Sequence, residues 1–363
     1  MGGKSAERLS HMFFNSLLEG KIVQEKKLKL SVIVPVYNTE QYLPRCLDSL
    51  CNQTLSSIEI ICVDNGSTDR SLEILRHYET RFPQVSVLIE KEGRQGSARN
   101  AGFKVAQGQY VGYVDSDDFV SPDMFKRMVN KADQLNADIT VCGIWLYFQD
   151  SGKFVEKDAS IFPCREVQNL FDAERLLTNL TIWNKIFSRE FLESTQISFL
   201  ADVFYEDLLF MIQAFLLSES IAVDSAPLYY YRKERSGQVS GLQNDRVFEV
   251  FEVFQKLDLF MSRHCFDERI SLLIAEIKIQ RFLEFFRLLN RKRTKLMIAR
   301  VKEYSVLPIA LDAPRLLSAK QYKIFQCLMK YNFEVAMMMS GWINLKDKFV
   351  RISARVLSTN DRI

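Results

Sequence analysis

The chain of 363 residues is poor in the parts from which several common active sites are built. It has three histidines, His11, His77 and His264, and no Ser-His-Asp set is apparent around them. Its seven cysteines (46, 51, 62, 142, 164, 265 and 327) include no C-x-x-C pair. Several sit in apolar runs, which reads as free, buried, reduced thiols rather than a zinc site or a disulfide framework, and so as a cytoplasmic protein. No run of 18 apolar residues occurs, so no spanning helix is expected. The charged N-terminus lacks the apolar core of a signal peptide. Also missing are G-x-G-x-x-G and G-x-x-x-x-G-K-[ST], which excludes phosphate binding in the Rossmann or P-loop manner. The net charge is only +3, so total charge points to no particular partner.

What is present is a run of buried-strand signals with polar residues at their ends. A hydrophobic content of 47% in a chain of this length supports a large core, as two domains or one domain with an appendage. Strands are expected at 28–37, 58–64, 85–90, 110–115 and 137–148. Helices between them are marked by Leu43, Leu47 and Leu50, then Leu72, Leu75 and Tyr78, and then the segment 96–108 closed by Gly108. The fourth stripe is Phe125, Met128, Val129, Ala132 and Leu135. Ser67 or Thr68 is the expected cap of the second helix, and Ser121-Pro122 opens the fourth. Strands alternating with helices predict an open, mostly parallel, twisted α/β sheet covered on both faces. A short strand is expected within 181–187, a helix from Glu206 or Asp207 to 219, one or two strands over "SIAVDSAPLYYYRKE" (220–234), and helices from about 243 onward.

In such a sheet ligands gather at the carboxyl ends of the strands. Four polar clusters fall there: Tyr37-Asn38, Asp64-Asn65-Gly66, the segment 91–96 and Asp115 to Asp118. Asp115, Asp117 and Asp118, with Ser116 among them, are costly together unless a cation neutralises them. Mg²⁺ or Mn²⁺ suits such oxygen ligands and completes its shell with water and phosphate. A solvated acidic turn leading into a helix is the other reading. Asp64 could accept hydrogen bonds from a base or ribose, or simply close an Asx turn. "GRQGSARNAG" (93–102) offers Gly96, Arg94 and Arg99 at a helix start, a combination that favours anions or serves merely as a loop and cap.

The motifs "SVIVPVYNTEQYLPRCLDSL", "IEIICVDNGSTDRS", "GSARNAG" and "YVGYVDSDD", in this order across about 28–146, resemble family 2 glycosyltransferases of the GT-A fold. A softer likeness, "WNKIF…FYEDLLF…YYYR…SGQVSG", continues to about 241 and resembles bacterial members that build surface polysaccharides such as lipopolysaccharide and capsule. The resemblance implies a GT-A domain over 28–241, an N-terminal extension over 1–27 and a C-terminal helical region over 242–363. It implies that Pro35, Tyr37, Asn38 and Glu40 border the nucleotide, that Asp64 binds the base, usually uracil, and that Arg99 and Asn100 lie near the nucleotide. Asp115 would approach the ribose, Asp117 would contact the metal and Asp118 would lie close by. Arg94 stands where the family often has Asn.

The implied reaction is inverting transfer from a nucleotide-sugar, a UDP-sugar by resemblance, to a hydroxyl of a glycan or lipid-linked acceptor. Asp207 is the implied base and Glu206 its neighbour. A helix N-terminus there would favour the ionised carboxylate. The stretch 229–241 reads as a loop closing over the diphosphate, with Arg232 supplying charge, or as an exposed basic loop. Trp183 is expected to be buried rather than stacked on a sugar. The segment 320–363 carries eight Lys/Arg against three Asp/Glu, a local +5, with apolar neighbours. It reads as a peripheral membrane contact on the cytoplasmic face, a helical cap or a dimer contact; nucleic-acid binding is not expected. A non-catalytic nucleotide-sugar-binding or assembly subunit is the alternative function. A nucleotidyltransferase would need a glycine-rich phosphate loop that "PVYNTEQYL" does not supply.

Overall fold

Strand β1 (Leu30–Val36) is buried along its whole length, which explains why its sequence shows no polar–apolar alternation. A strand hidden on both faces has no solvent side to encode. The computed structural model describes residues 28–91, 94–157, 176–233, 245–289 and 291–304. Around β1 lie β2 (Ile58–Asp64), β3 (Val85–Ile89) and β4 (Tyr110–Tyr113), all parallel, in the order β3-β2-β1-β4. Helix α1 (Leu43–Cys51) covers the sheet with Leu43, Cys46, Leu47 and Leu50, the spacing of one helical face. Helices α2 (Ser71–Arg81), α3 (Gln95–Val105) and α4 (Met124–Leu135) complete the alternation. In α4 Phe125, Met128, Val129 and Ala132 are buried, as their periodicity requires.

The second half of the sheet is mixed. Strand β8 (Lys185–Ser188) lies between β4 and β6 (Ile139–Phe148) and is antiparallel to both. Reversing direction twice makes β6 point the same way as β4. Strand β9 (Ile221–Lys233) runs parallel to β6, and the short β5 (Phe119–Val120) is antiparallel to β9 at the far edge. Strand β7 (Lys153–Glu156) folds back on β6 as a hairpin. The carboxyl ends of β1, β2, β4, β6 and β9 therefore share one edge. Pro227 sits inside β9 where the register against β6 shifts around Gly143, a bulge that accommodates its missing N–H.

Helix α5 (Arg189–Thr195) follows β8, and α6 (Glu206–Leu217) is buried along most of its length, the central helix of the core. Helices α7 (Val250–Arg263), α8 (Glu268–Leu288) and α9 (Arg291–Glu303) supply the expected helical region, with Phe254 of α7 edge-on to Phe282 of α8 at 5.3 Å. Asp267 caps α8 by accepting from the Ile270 N–H at 2.9 Å.

Four local expectations are corrected. Ser67 and Thr68 do not cap α2; they bond Asn38, and Asp69 accepts the Ser71 N–H at 2.9 Å instead. The helix after Ser121-Pro122 begins at Met124; Ser121 instead closes a turn by accepting the Met124 N–H at 3.1 Å, and its own N–H pairs with Leu228 of β9 at 2.8 Å. Gly108 does not cap α3; a Cβ there would stand 2.4 Å from the Ser31 nitrogen, so glycine permits close passage over β1. Residues 229–233 follow the strand reading of 220–234 and not the loop reading of 229–241, held by pairing with β6; the rest of that stretch, 234–241, lies outside the described residues. So does the basic segment 320–363. Among the described residues no helix is long and apolar enough to cross a membrane, and the cysteines at 46, 51, 62, 142 and 265 are free.

Candidate active site

The strand-end clusters converge as the parallel topology demands. Pro35 is buried within β1 opposite Val63, and Tyr37 emerges from its end 58% exposed. Asn38 takes the left-handed conformation (φ 50°), and its side-chain oxygen accepts from the Thr68 N–H at 2.8 Å. Glu40 accepts from the Arg70 N–H at 2.9 Å. These two bonds stitch the ends of β1 and β2 into one rim. Within that rim Asp64 is buried; one carboxylate oxygen accepts from the Ser67 N–H at 3.2 Å, and the other, Oδ1, has no partner among the described residues. A buried acceptor left open suits a ligand N–H or hydroxyl.

At the end of β4 the oxygens of Asp115, Asp117 and Asp118 lie within 4.8 Å of one another. Each is held differently. Asp115 Oδ1 accepts from Arg99 Nη2 at 3.0 Å and from Gln95 Nε2 at 3.1 Å. Ser116 turns inward to accept from the Thr39 hydroxyl at 3.1 Å. Asp118 is fully buried: Oδ2 accepts from the Tyr229 hydroxyl and Oδ1 from the Arg232 N–H, each at 2.8 Å. Burial, reinforced by Asp117 and Asp115, pushes the Asp118 carboxyl well above the usual range. Arg232 is buried behind this cluster, with Nε donating to the Asp117 carbonyl at 2.7 Å and a further bond to Gln149. Its place in β9 makes it a support beneath the acids rather than a cation on a closing loop.

Arg99, also buried, joins the acidic turn to the start of α6. One guanidinium nitrogen bonds Asp115 and another bonds Glu206. Burial pushes the Glu206 carboxyl up to about 7 against the opposing pull of Arg99, and Asp207 is raised by the same cause. Burial thus outweighs the helix terminus that favours ionised carboxylates. Asp207 is half-buried and bonds no other side chain among the described residues. Tyr205, immediately before α6, adopts a left-handed conformation (φ 67°) that costs energy in a bulky residue and fixes how the acidic pair enters the helix.

Three of the expected contacts serve packing in this structure. Asn100 accepts from the Phe199 N–H at 3.0 Å and donates to the Phe199 carbonyl at 2.8 Å. Arg94 pairs with Glu249 and stacks over Phe204. A Cβ on Gly96 would stand 2.1 Å from the Leu200 carbonyl oxygen. Gly96→Ala is therefore expected to destabilise by about 1–3 kcal/mol, the usual range for overpacking, read from urea unfolding. Trp183 is buried as expected, stacked between Tyr229 at 4.2 Å and Tyr231 at 5.1 Å. Gln95 and Tyr229 were not singled out in the sequence; nothing local signals that Tyr229 would meet a carboxylate 111 positions away.

The acidic corner fits a hard divalent ion. Asp115, Asp117 and Asp118 bring their carboxylate oxygens within 4.8 Å of one another, an all-oxygen donor set.

The model of the family described as "Glycosyl transferase family 2" matches residues 31–195. The uncharacterised glycosyltransferase EpsJ of Bacillus subtilis is 37% identical over 209 residues, covering 56% of this chain and 61% of EpsJ, so the match spans about three fifths of that relative. Glycosyltransferase GlyG of Streptococcus pneumoniae is 32% identical over 240 residues, covering 62% of this chain and 78% of GlyG. The crystal structure of Staphylococcus aureus TarS 1–349 in complex with UDP-GlcNAc superposes with a TM-score of 0.72 at 24% identity, covering 88% of this chain and 92% of TarS 1–349, and shares its GT-A fold. With the rim, the acidic turn and the α6 pair set on that fold, the chain belongs to glycosyl transferase family 2.

Proposed function

We propose that this chain transfers a sugar, with inversion, from a UDP-sugar to a hydroxyl of a glycan or lipid-linked glycan in bacterial surface-polysaccharide synthesis. The observation that carries the reading is the Arg99 bridge, which ties the acidic turn that would meet the donor to the helix start that would hold the base. Support for UDP as the nucleotide comes from TarS, whose structure is in complex with UDP-GlcNAc. Support for a base at the β1–β2 rim comes from Asp64 Oδ1, a buried acceptor open among the described residues, and from exposed Tyr37.

Asp117, with Asp115 and Asp118 at hand, would hold Mn²⁺ or Mg²⁺. The ion, when bound, neutralises the charge gained by the departing diphosphate. The protein's own steps concern the acceptor. Its oxygen attacks the anomeric carbon from the side opposite the diphosphate, the carbon–diphosphate oxygen bond breaks, and UDP leaves with that electron pair. The acceptor proton passes to Asp207, whose carboxylate is uncommitted to other side chains among the described residues. Arg99 keeps Glu206 turned away from this task.

A panel of nucleotide-sugars with Mn²⁺ and candidate acceptors, scored by release of nucleoside diphosphate, tests the reading. UDP binding without release on any acceptor would instead indicate a non-catalytic subunit. Asp117→Ala is expected to weaken Mn²⁺-dependent UDP binding at least about tenfold by calorimetry, in keeping with the cost of disturbing a metal's ligands. Equal affinity in wild type and variant would remove Asp117 from the metal site.

A further inference from the structure

Beyond the acidic turn, on the side of the edge away from Asp64, β5, β6, β7 and β9 present an aromatic cluster that the reaction above does not use. Phe119 and Tyr230 stack at 4.6 Å, Tyr147 meets Phe119 at 5.4 Å, and Phe154 closes the group at 5.0 Å from Tyr147 and 5.7 Å from Tyr230. The pairing of Phe119 with Tyr230, and of Tyr147 with both Phe154 and Arg232, sets all these side chains on one face. Phe154 is 44% exposed, and Tyr147 and Tyr230 are half-buried. One exposed ring flanked by two half-buried ones forgoes part of the free energy of burial, and such a patch is a common mark of a binding surface. Arg232 links the patch to the reaction centre: its guanidinium lies 5.6 Å from the Phe119 ring and 5.3 Å from the Tyr147 ring, while its Nε bonds the Asp117 carbonyl. One side chain's length separates the two.

A cation accompanies the rings. The guanidinium of Arg45 in α1 stands 3.7 Å over the Phe119 ring and 4.7 Å from the Tyr147 ring. Arg45 is exposed, and no carboxylate pairs with it among the described residues. A guanidinium stacked on aromatic faces is already oriented, so it loses little freedom on meeting an anion.

We propose that this patch is an acceptor subsite for an anionic glycan: a pyranose lies on Tyr147, Phe154 and Tyr230, and Arg45 meets a phosphate or carboxylate on it or its neighbour. The electron-rich ring faces attract the polarised C–H groups of a sugar face. The proposed nucleotide rim lies on β1 and β2, the acidic turn at β4, and the patch further along the same sheet on β5, β6, β7 and β9, so a glycan seated on the patch would approach the acidic turn from the side away from the rim. The proposal rests on the glycosyltransferase reading, because the acidic turn must hold the donor for this seat to be an acceptor's.

Saturation-transfer NMR on the full chain tests it, with saturating UDP and Mg²⁺ occupying the donor pocket and methyl glucoside or methyl glucuronide as probes. Saturation is expected to reach the ring protons of both sugars, more strongly for the glucuronide. Phe154→Ala should cut the signal about fivefold, the scale of one aromatic stacking contact, and Phe154→Trp should keep it. Arg45→Gln should erase the preference for the glucuronide. Bound UDP with no sugar signal, a signal unchanged in Phe154→Ala, or a preference surviving Arg45→Gln overturns the subsite while leaving the transferase reading standing. Failure of UDP itself to bind overturns both.

Discussion

Asp207→Asn is expected to lower sugar transfer by about a hundred- to ten-thousand-fold, the range contributed by a positioned general base. An amide keeps the shape and cannot take the acceptor's proton. Binding of UDP should change little, because Asp207 belongs to α6 whereas the proposed nucleotide rim is built from the ends of β1 and β2. Paired measurement of UDP affinity and UDP release with acceptor separates these effects. Glu206→Gln should cost less in turnover, since Glu206 is occupied by Arg99. The base must be deprotonated, and burial raises both carboxyls, Glu206 to about 7. The wild-type rate should therefore fall on the acid side along a limb lying above the ordinary aspartate range. A limb near the ordinary aspartate value, or transfer undiminished in Asp207→Asn, would assign the proton transfer to another group.

Arg99→Met should be the most damaging single change to stability, about 3–5 kcal/mol by urea unfolding, the cost of removing one partner from a buried charge network. It strands Glu206 and Asp115 together, with Asp207 beside them. The pH dependence has a definite sign. Glu206 is raised from 4.5 toward 7 in the folded chain, so between those values the folded state binds more protons than the unfolded state. Its contribution to stability is full below the unfolded value and is lost as pH rises through about 7. Arg99 is the group that holds Glu206 down, so deleting it widens this window. The penalty of Arg99→Met should be smaller at pH 5 than at pH 8; an equal penalty would mean that Glu206 does not carry the shift.

Much of this arrangement was legible in the residues. The uninterrupted apolar runs at β1 and β2 announced strands covered on both faces, and the polar residues directly after them fell where a parallel sheet collects ligands. Asp115, Asp117 and Asp118 were conspicuous because adjacent like charges need a reason. The reading failed where a local signal met a distant competitor. Ser121-Pro122 looked like a helix start, but these residues form a turn beside β9 and the helix begins at Met124. Arg232 fell within both an expected strand and an expected loop, and pairing with β6 carried the strand through it and buried it under the acids.

The sequence by itself determined the alternating strands and helices of the first half, the acidic turn after β4 and the resemblance to the family, because strand burial, helical periodicity and short motifs are properties of neighbouring residues. Only the tertiary structure decided that β8 enters the sheet reversed between β4 and β6, that Arg99 binds Asp115 and Glu206 at once, and that four rings from four strands meet beside Arg45. Those outcomes join residues dozens to more than a hundred positions apart, and desolvation and charge pairing act on distance in space, which no local pattern records.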